Sequence, residues 1–187
     1  MAQFSAQVDW SKIPPPEDHG EAAHLRGMRL PHVSLQSTTG GAVDVGGLDG
    51  ISVLYFYPRT GRPDEPLPEG WDDIPGARGC TPQSCGFRDH FAELRGAGAA
   101  HVFGISTQEP DYQREAAERL HLPFALLSDA RLLLATALRL PILDVAGMSL
   151  VKRITLIADH GLITKIFYPV FPPDRNAGDV LAALQAG

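Results

Sequence analysis

Residues 51 to 57 read ISVLYFY, and only Ser52 interrupts the apolar run. A strand with one wet face alternates apolar and polar positions. This one does not, and β-branched and aromatic residues fill it. It therefore predicts a central strand buried on both faces, which requires a sheet with cover on each side. HVSLQ (32–36) and AVDV (42–45) flank Thr39-Gly40-Gly41 as a hairpin. HVFGIST (101–107) and FALLSD (124–129) read as further strands, with a helix from Pro110 to about Leu120 between them. A short helix over 130–138 precedes Pro141. MSLVKRITLIAD (148–159), the Asp159-His160-Gly161 turn and LITKIFY (162–168) form a hairpin, and 177–186 a terminal helix. Strands alternating with crossover helices predict an α/β fold: a central mixed sheet with helices on both faces and an N-terminal β-hairpin.

The 187 residues, 44% hydrophobic, are enough for one packed domain. Residues 1–30 are polar, carry Pro14, Pro15 and Pro16, and read as an irregular extension laid over the domain rather than part of its core. The domain itself is expected over 31–187. It holds a long insertion at 59–79, where 21 residues include four prolines and four glycines. Such loops are usually functional or mobile, and a short helix near Trp71–Ile74 is the alternative. A net charge of −6 argues against a nucleic-acid partner. The N-terminus shows no signal-peptide pattern. The most apolar stretch, 124–150, is interrupted by Asp129, Arg131, Arg139 and Asp144, so no membrane span is expected. Two cysteines are too few for a disulfide-stapled secreted fold, which leaves a cytoplasmic protein as the expectation.

Those cysteines stand in GCTPQSCGFRDHF. Phe87, Phe91 and Leu94 at i, i+4 and i+7 form a helical core stripe ended by Gly96 and Gly98. Carried back, the helix puts Cys80 in its first turn, about 20° from Phe87 on the core side, and Cys85 roughly opposite, toward solvent. A thiol at a helix N-terminus meets unpaired N–H groups and the positive end of the macrodipole, and both favour thiolate. The plainer reading is a small buried hydrophobe and an idle surface thiol. Five helical residues rise about 7.5 Å. A disulfide wants Cα atoms roughly 4.4–6.8 Å apart, so Cys80 and Cys85 can pair only if the turn unwinds. No second cysteine pair or His spacing supports a metal, and no glycine-rich phosphate loop follows a strand, so no cofactor is expected.

The strand VLYFYP, then GCTPQSCGFRD, VFGISTQ, FALLSD and VKRITLIADHGLITKIFY resemble a peroxiredoxin of the Q or bacterioferritin-comigratory type, from about His32 to the C-terminus. The resemblance implies a thioredoxin-like fold, a peroxidatic cysteine at Cys80, a resolving cysteine at Cys85 and the family's arginine at Arg153. It further implies a small peroxide substrate, a thioredoxin-like protein reductant and a monomer, with YPVFPP (168–173) as the candidate contact if the chain dimerises. Strand alternation in VKRITLIA separately puts Val151, Arg153, Thr155 and Ile157 on one face. An arginine among such neighbours needs a partner.

The chain also departs from the family pattern Pro-x3-Thr/Ser-x2-Cys. Twenty-one residues separate Pro58 from Cys80 where the motif has six, and Ala77 stands at the hydroxyl position. Either Thr60 folds back into the site or the protein works without that hydroxyl. Gln83 stands where related sequences often have Glu. Two rival readings follow. A thiol–disulfide oxidoreductase would ordinarily carry Cys-x-x-Cys, which is absent. A thioredoxin-fold interaction module with a decayed site would account for Ala77 and the insertion.

Overall fold

The structure is a computed structural model that describes residues 8–187. Nine strands and five α-helices follow one another as β1 (Ser34–Ser37), β2 (Ala42–Asp44), β3 (Ile51–Phe56), α1 (Cys80–Asp89), α2 (Phe91–Gly96), β4 (Ala99–Ser106), α3 (Pro110–Arg119), β5 (Leu126–Ser128), α4 (Leu133–Leu138), β6 (Ile142–Val145), β7 (Met148–Val151), β8 (Ile154–Asp159), β9 (Leu162–Phe167) and α5 (Asn176–Gln185). Seven of the strands form one mixed sheet in the order β2-β1-β5-β4-β3-β8-β9. β3 lies parallel to β4 and antiparallel to β8.

The burial of ISVLYFY on two faces has a direct outcome. Val53, Tyr55 and Tyr57 pack into one apolar cluster with Phe87, Leu94, Ala116 and Val180 of α1, α2, α3 and α5. Leu54 and Phe56 pack into another with Leu134 and Leu138 of α4. α4 is too short to cover its face alone. Ala22, Leu25 and Leu30 complete the second cluster, so part of the N-terminal stretch does belong to the core. There Leu30 donates its N–H to the Gly161 carbonyl at 2.8 Å and Gly27 to Ile163 at 2.9 Å, which closes the free edge of β9. Residues 1–7 of the expected extension lie outside the described residues.

Two expected elements differ. The segment 148–159 is not one strand: β7 pairs with β6 in a separate two-stranded sheet, the chain breaks at Lys152-Arg153, and β8 enters the main sheet. Val151 and Ile157 accordingly fall in opposite clusters, not on one face. β6 escapes a sequence reading because its turn, Ala146-Gly147, has positive φ at both residues, and alanine is not a residue expected there. The helix after Cys80 is also two helices, separated at His90.

Candidate active site

Gly79 sets the position of α1. Its φ of +110° is left-handed. A Cβ built on it would lie 2.5 Å from Pro173 Cγ and 2.8 Å from Trp10 Cη2, so no other side chain fits. The helix begins at Cys80, which is 3% exposed. Cys80 therefore stands at the N-terminus of a ten-residue helix, where backbone N–H groups lack intrahelical partners.

Arg153 reaches the same point from the break between β7 and β8. Its Nη2 donates to Cys80 Sγ at 3.3 Å and to the carbonyls of Ala77 and Arg78 at 3.3 and 3.1 Å. The Cys80 thiol faces the Ala77 carbonyl at 3.6 Å. Nη1 donates to Gln83 Oε1. Gln83 Nε2 donates onward to Asn176 Oδ1 at 3.0 Å, which also accepts from the Thr155 hydroxyl at 2.7 Å. Arg153 is 3% exposed, and no ion pair involves it among the described residues. A buried guanidinium without a carboxylate is costly unless another group carries negative charge beside it. The Cys80 sulfur is the group the guanidinium meets there, at 3.3 Å.

The middle of α1 is anchored differently. Phe87 stacks on Tyr55 with ring centroids 4.3 Å apart and planes 6° off parallel. The Tyr55 hydroxyl donates to Ser84 Oγ at 3.0 Å. Cys85 is half-buried rather than facing solvent. Burial pushes its thiol above the ordinary range, only partly offset by the Arg88 charge. The nearby Tyr57 hydroxyl is fully buried with no hydrogen-bond partner among the described residues.

The insertion turns back toward the site. A short 3-10 turn at Trp71–Asp73, the alternative to an unstructured loop, buries Trp71. Trp71, Ala77 and Leu150 form a small cluster against which Ile74, Leu143 and Met148 pack. Thr60 does not supply the missing hydroxyl. Its N–H and hydroxyl both donate to Gln108 Oε1, at 3.0 and 3.1 Å. The Ala77 methyl is buried in the small cluster, and it is the Ala77 carbonyl that faces the sulfur.

The structure thus brings Cys80 and Arg153 together, with Cys85 further along the same helix. Gln83, Asn176 and Thr155 were missed as a set. Gln83 carried a signal, since i+3 from Cys80 places it one turn away on the same side. Asn176 carried none, lying 93 residues from its partner.

A thioredoxin-like sheet that delivers a helix-terminal thiol to a buried arginine defines a class of thiol enzyme. Residues 25–183 match the family model described as Redoxin, and the chain belongs to that family. Within it, the chain is 32% identical over 163 residues to peroxiredoxin Q, chloroplastic, of Oryza sativa subsp. japonica, covering 86% of this chain and 67% of that one. It is 39% identical over 100 residues to peroxiredoxin Bcp of Escherichia coli, covering 53% and 54%. Peroxidoxin BcpB from Mycobacterium tuberculosis superposes with a TM-score of 0.70 at 28% identity, covering 86% of this chain and 96% of that one. These relatives are thiol-dependent peroxidases of the Q and Bcp type, and the same activity holds for this chain.

Proposed function

We propose that Cys80 is the peroxidatic cysteine, Cys85 the resolving cysteine and Arg153 the residue that stabilises both thiolate and transition state. The observation that carries this reading is the Arg153 Nη2 to Cys80 Sγ contact at 3.3 Å, with no carboxylate paired to the guanidinium among the described residues. The Cys80 thiolate attacks one peroxide oxygen. The S–O bond forms, the O–O bond breaks, and the leaving oxygen takes a proton to depart as water or alcohol. Charge grows on that oxygen, where the guanidinium stabilises it. The first turn of α1 then unwinds. The Cys85 sulfur attacks the sulfenic sulfur, and water leaves as the disulfide forms. A thioredoxin-like dithiol returns two electrons and two protons by exchange.

The insertion, through Trp71 and Ala77, covers the helix end that must unwind. The working unit is a monomer in the cytoplasm. No described helix is long and apolar enough to cross a membrane.

One addition of hydrogen peroxide to fully reduced protein tests the roles, with free thiols blocked under denaturing conditions and the Cys80 peptide mapped by mass spectrometry. A fast, stoichiometric Cys80–Cys85 disulfide is expected. Over-oxidised Cys80 with Cys85 free would remove the resolving role, and an unmodified Cys80 would remove both. Cys80→Ser should abolish turnover.

A further inference from the structure

Gly79 joins the insertion to α1, and two residues from opposite ends of the chain crowd its backbone. One is Pro173, whose Cγ would lie 2.5 Å from a Cβ built there. The other is Trp10, whose Cη2 would lie 2.8 Å away. Pro173 belongs to a 3-10 turn, Pro173–Arg175, that supports α1 along its length. A Cβ built on Gly86 would lie 3.3 Å from the Asp174 carbonyl oxygen, and Asn176, next in the chain, holds Gln83 at 3.0 Å. The helix therefore rests on a fixed platform, and Trp10 meets it at the first turn.

Three contacts hold the indole in place. Its Nε1–H donates to Asp174 Oδ2 of the platform at 2.9 Å. Its ring meets Phe171 edge-on, with centroids 6.0 Å apart and planes at 78°. Its backbone lies in a short turn, Trp10–Lys12, capped by Asp9, which accepts from the Ser11 hydroxyl at 2.6 Å and pairs with Lys12 at 3.0 Å. The same segment touches the insertion again at Pro16, whose Cβ would lie 3.4 Å from a Cβ on Gly76. An indole offers a large apolar face and one donor, so it can be oriented by the platform while its edge presses on a bare glycine.

We infer that Trp10 is a positioning residue for the resolving step: it clamps Gly79 against the platform, and the first turn of α1 unwinds only as that clamp lets go. Unwinding moves Gly79 away from the ring, so the contact stabilises the wound state alone, and such a contact shifts the balance toward the state that makes it. The indole is half-buried and its hydrogen bond is exposed, which lets the clamp release and re-form. Trp10 touches neither the sulfur nor the guanidinium. It acts through Gly79 on how often Cys80 can travel to Cys85. The inference rests on the assignment of Cys85 as the resolving cysteine.

The test separates the two steps in the full chain and in Trp10→Ala. Reduced protein receives hydrogen peroxide, is quenched in acid at timed intervals, and its thiol, sulfenic acid and disulfide forms are counted by mass spectrometry. The disulfide step, which does not depend on peroxide concentration, is expected to run about threefold or more faster in Trp10→Ala. The peroxide-dependent loss of the Cys80 thiol should change by less than about twofold, because most reduced molecules keep the turn wound. Trp10→Phe, which keeps a ring against Gly79, should return most of the way to the unmodified rate. Asp174→Ala, which removes only the acceptor of the indole N–H, should fall between. An unchanged disulfide step in Trp10→Ala, or both steps slowed together, would overturn the clamp and leave the peroxidase reading intact. Absence of a Cys80–Cys85 disulfide in the unmodified chain would overturn the Cys85 assignment and the inference with it.

Discussion

The two halves of α1 are held by opposite kinds of force. Around Phe87 the helix is bound by apolar area: the fully buried ring stacks on Tyr55, and the Tyr55 hydroxyl holds Ser84. Around Cys80 it is bound by polar contacts that converge on one guanidinium, and its N-cap is a glycine without a side-chain hydrogen bond. Oxidation leaves the first set untouched. In the reaction proposed above it turns the Cys80 thiolate into a neutral sulfenic acid, so the attraction to Arg153 weakens when the turn must open. The contrast matches the proposed reaction, in which one end of a ten-residue helix stays fixed while the other yields. Polar contacts can be switched by chemistry at one atom, whereas buried area cannot.

The widest effect should come from breaking the apolar half. Phe87→Ala removes a fully buried ring and should cost about 3–5 kcal/mol of global stability, read by denaturant unfolding. If it merely loosens the first turn, the two halves are not separate. Arg153→Met keeps the stem and deletes the charge. It should slow single-turnover peroxide reduction by roughly 10²–10³-fold, with global stability much less affected than by Phe87→Ala. Loss of both together would erase the distinction.

Gln83→Glu sharpens it further. The present amide accepts from Arg153 without opposing its charge and donates to Asn176. A carboxylate would neutralise the guanidinium and repel the thiolate. Alkylation of Cys80 should then slow by about tenfold near neutrality.

The smallest effect is a pH slope. Burial raises the Cys85 thiol in the folded helix, while the unwound segment returns it to about 8.5. Above that value the unwound state binds fewer protons, so raising pH favours unwinding. The stability is fully present below pH ~8 and falls as pH rises toward the folded value. Unfolding of reduced protein between pH 7 and 9.5 should show this decline, and Cys85→Ser should lose that part of it. An identical slope in the variant would place the cause elsewhere, in Tyr55 and Tyr57, whose burial also raises them.

Much of this arrangement was legible in the chain because it is local or periodic. The unbroken apolar run of 51–57 specified a doubly covered strand, and the Cys80 to Phe87 spacing placed the thiol at a helix start on the core side. The strand assignment over 148–159 was misleading because β-propensity continues through Lys152-Arg153. The chain leaves one sheet there and joins another, a step that only pairing partners decide. The N-terminal stretch read as a polar lead-in, yet Leu25 and Leu30 are buried because α4 alone leaves one sheet face open.

The sequence by itself determined the α/β class, the place of Cys80 at a helix N-terminus and its separation from Cys85 along the same helix, since each follows from spacing along one element. Only the tertiary structure decided what faces the sulfur. Ala77 offers its carbonyl rather than a hydroxyl, Thr60 is held by Gln108, and Gln83 joins Arg153 to Asn176. Those contacts link residues up to 93 positions apart. Their energies depend on distance and burial in three dimensions, which no period along the chain records.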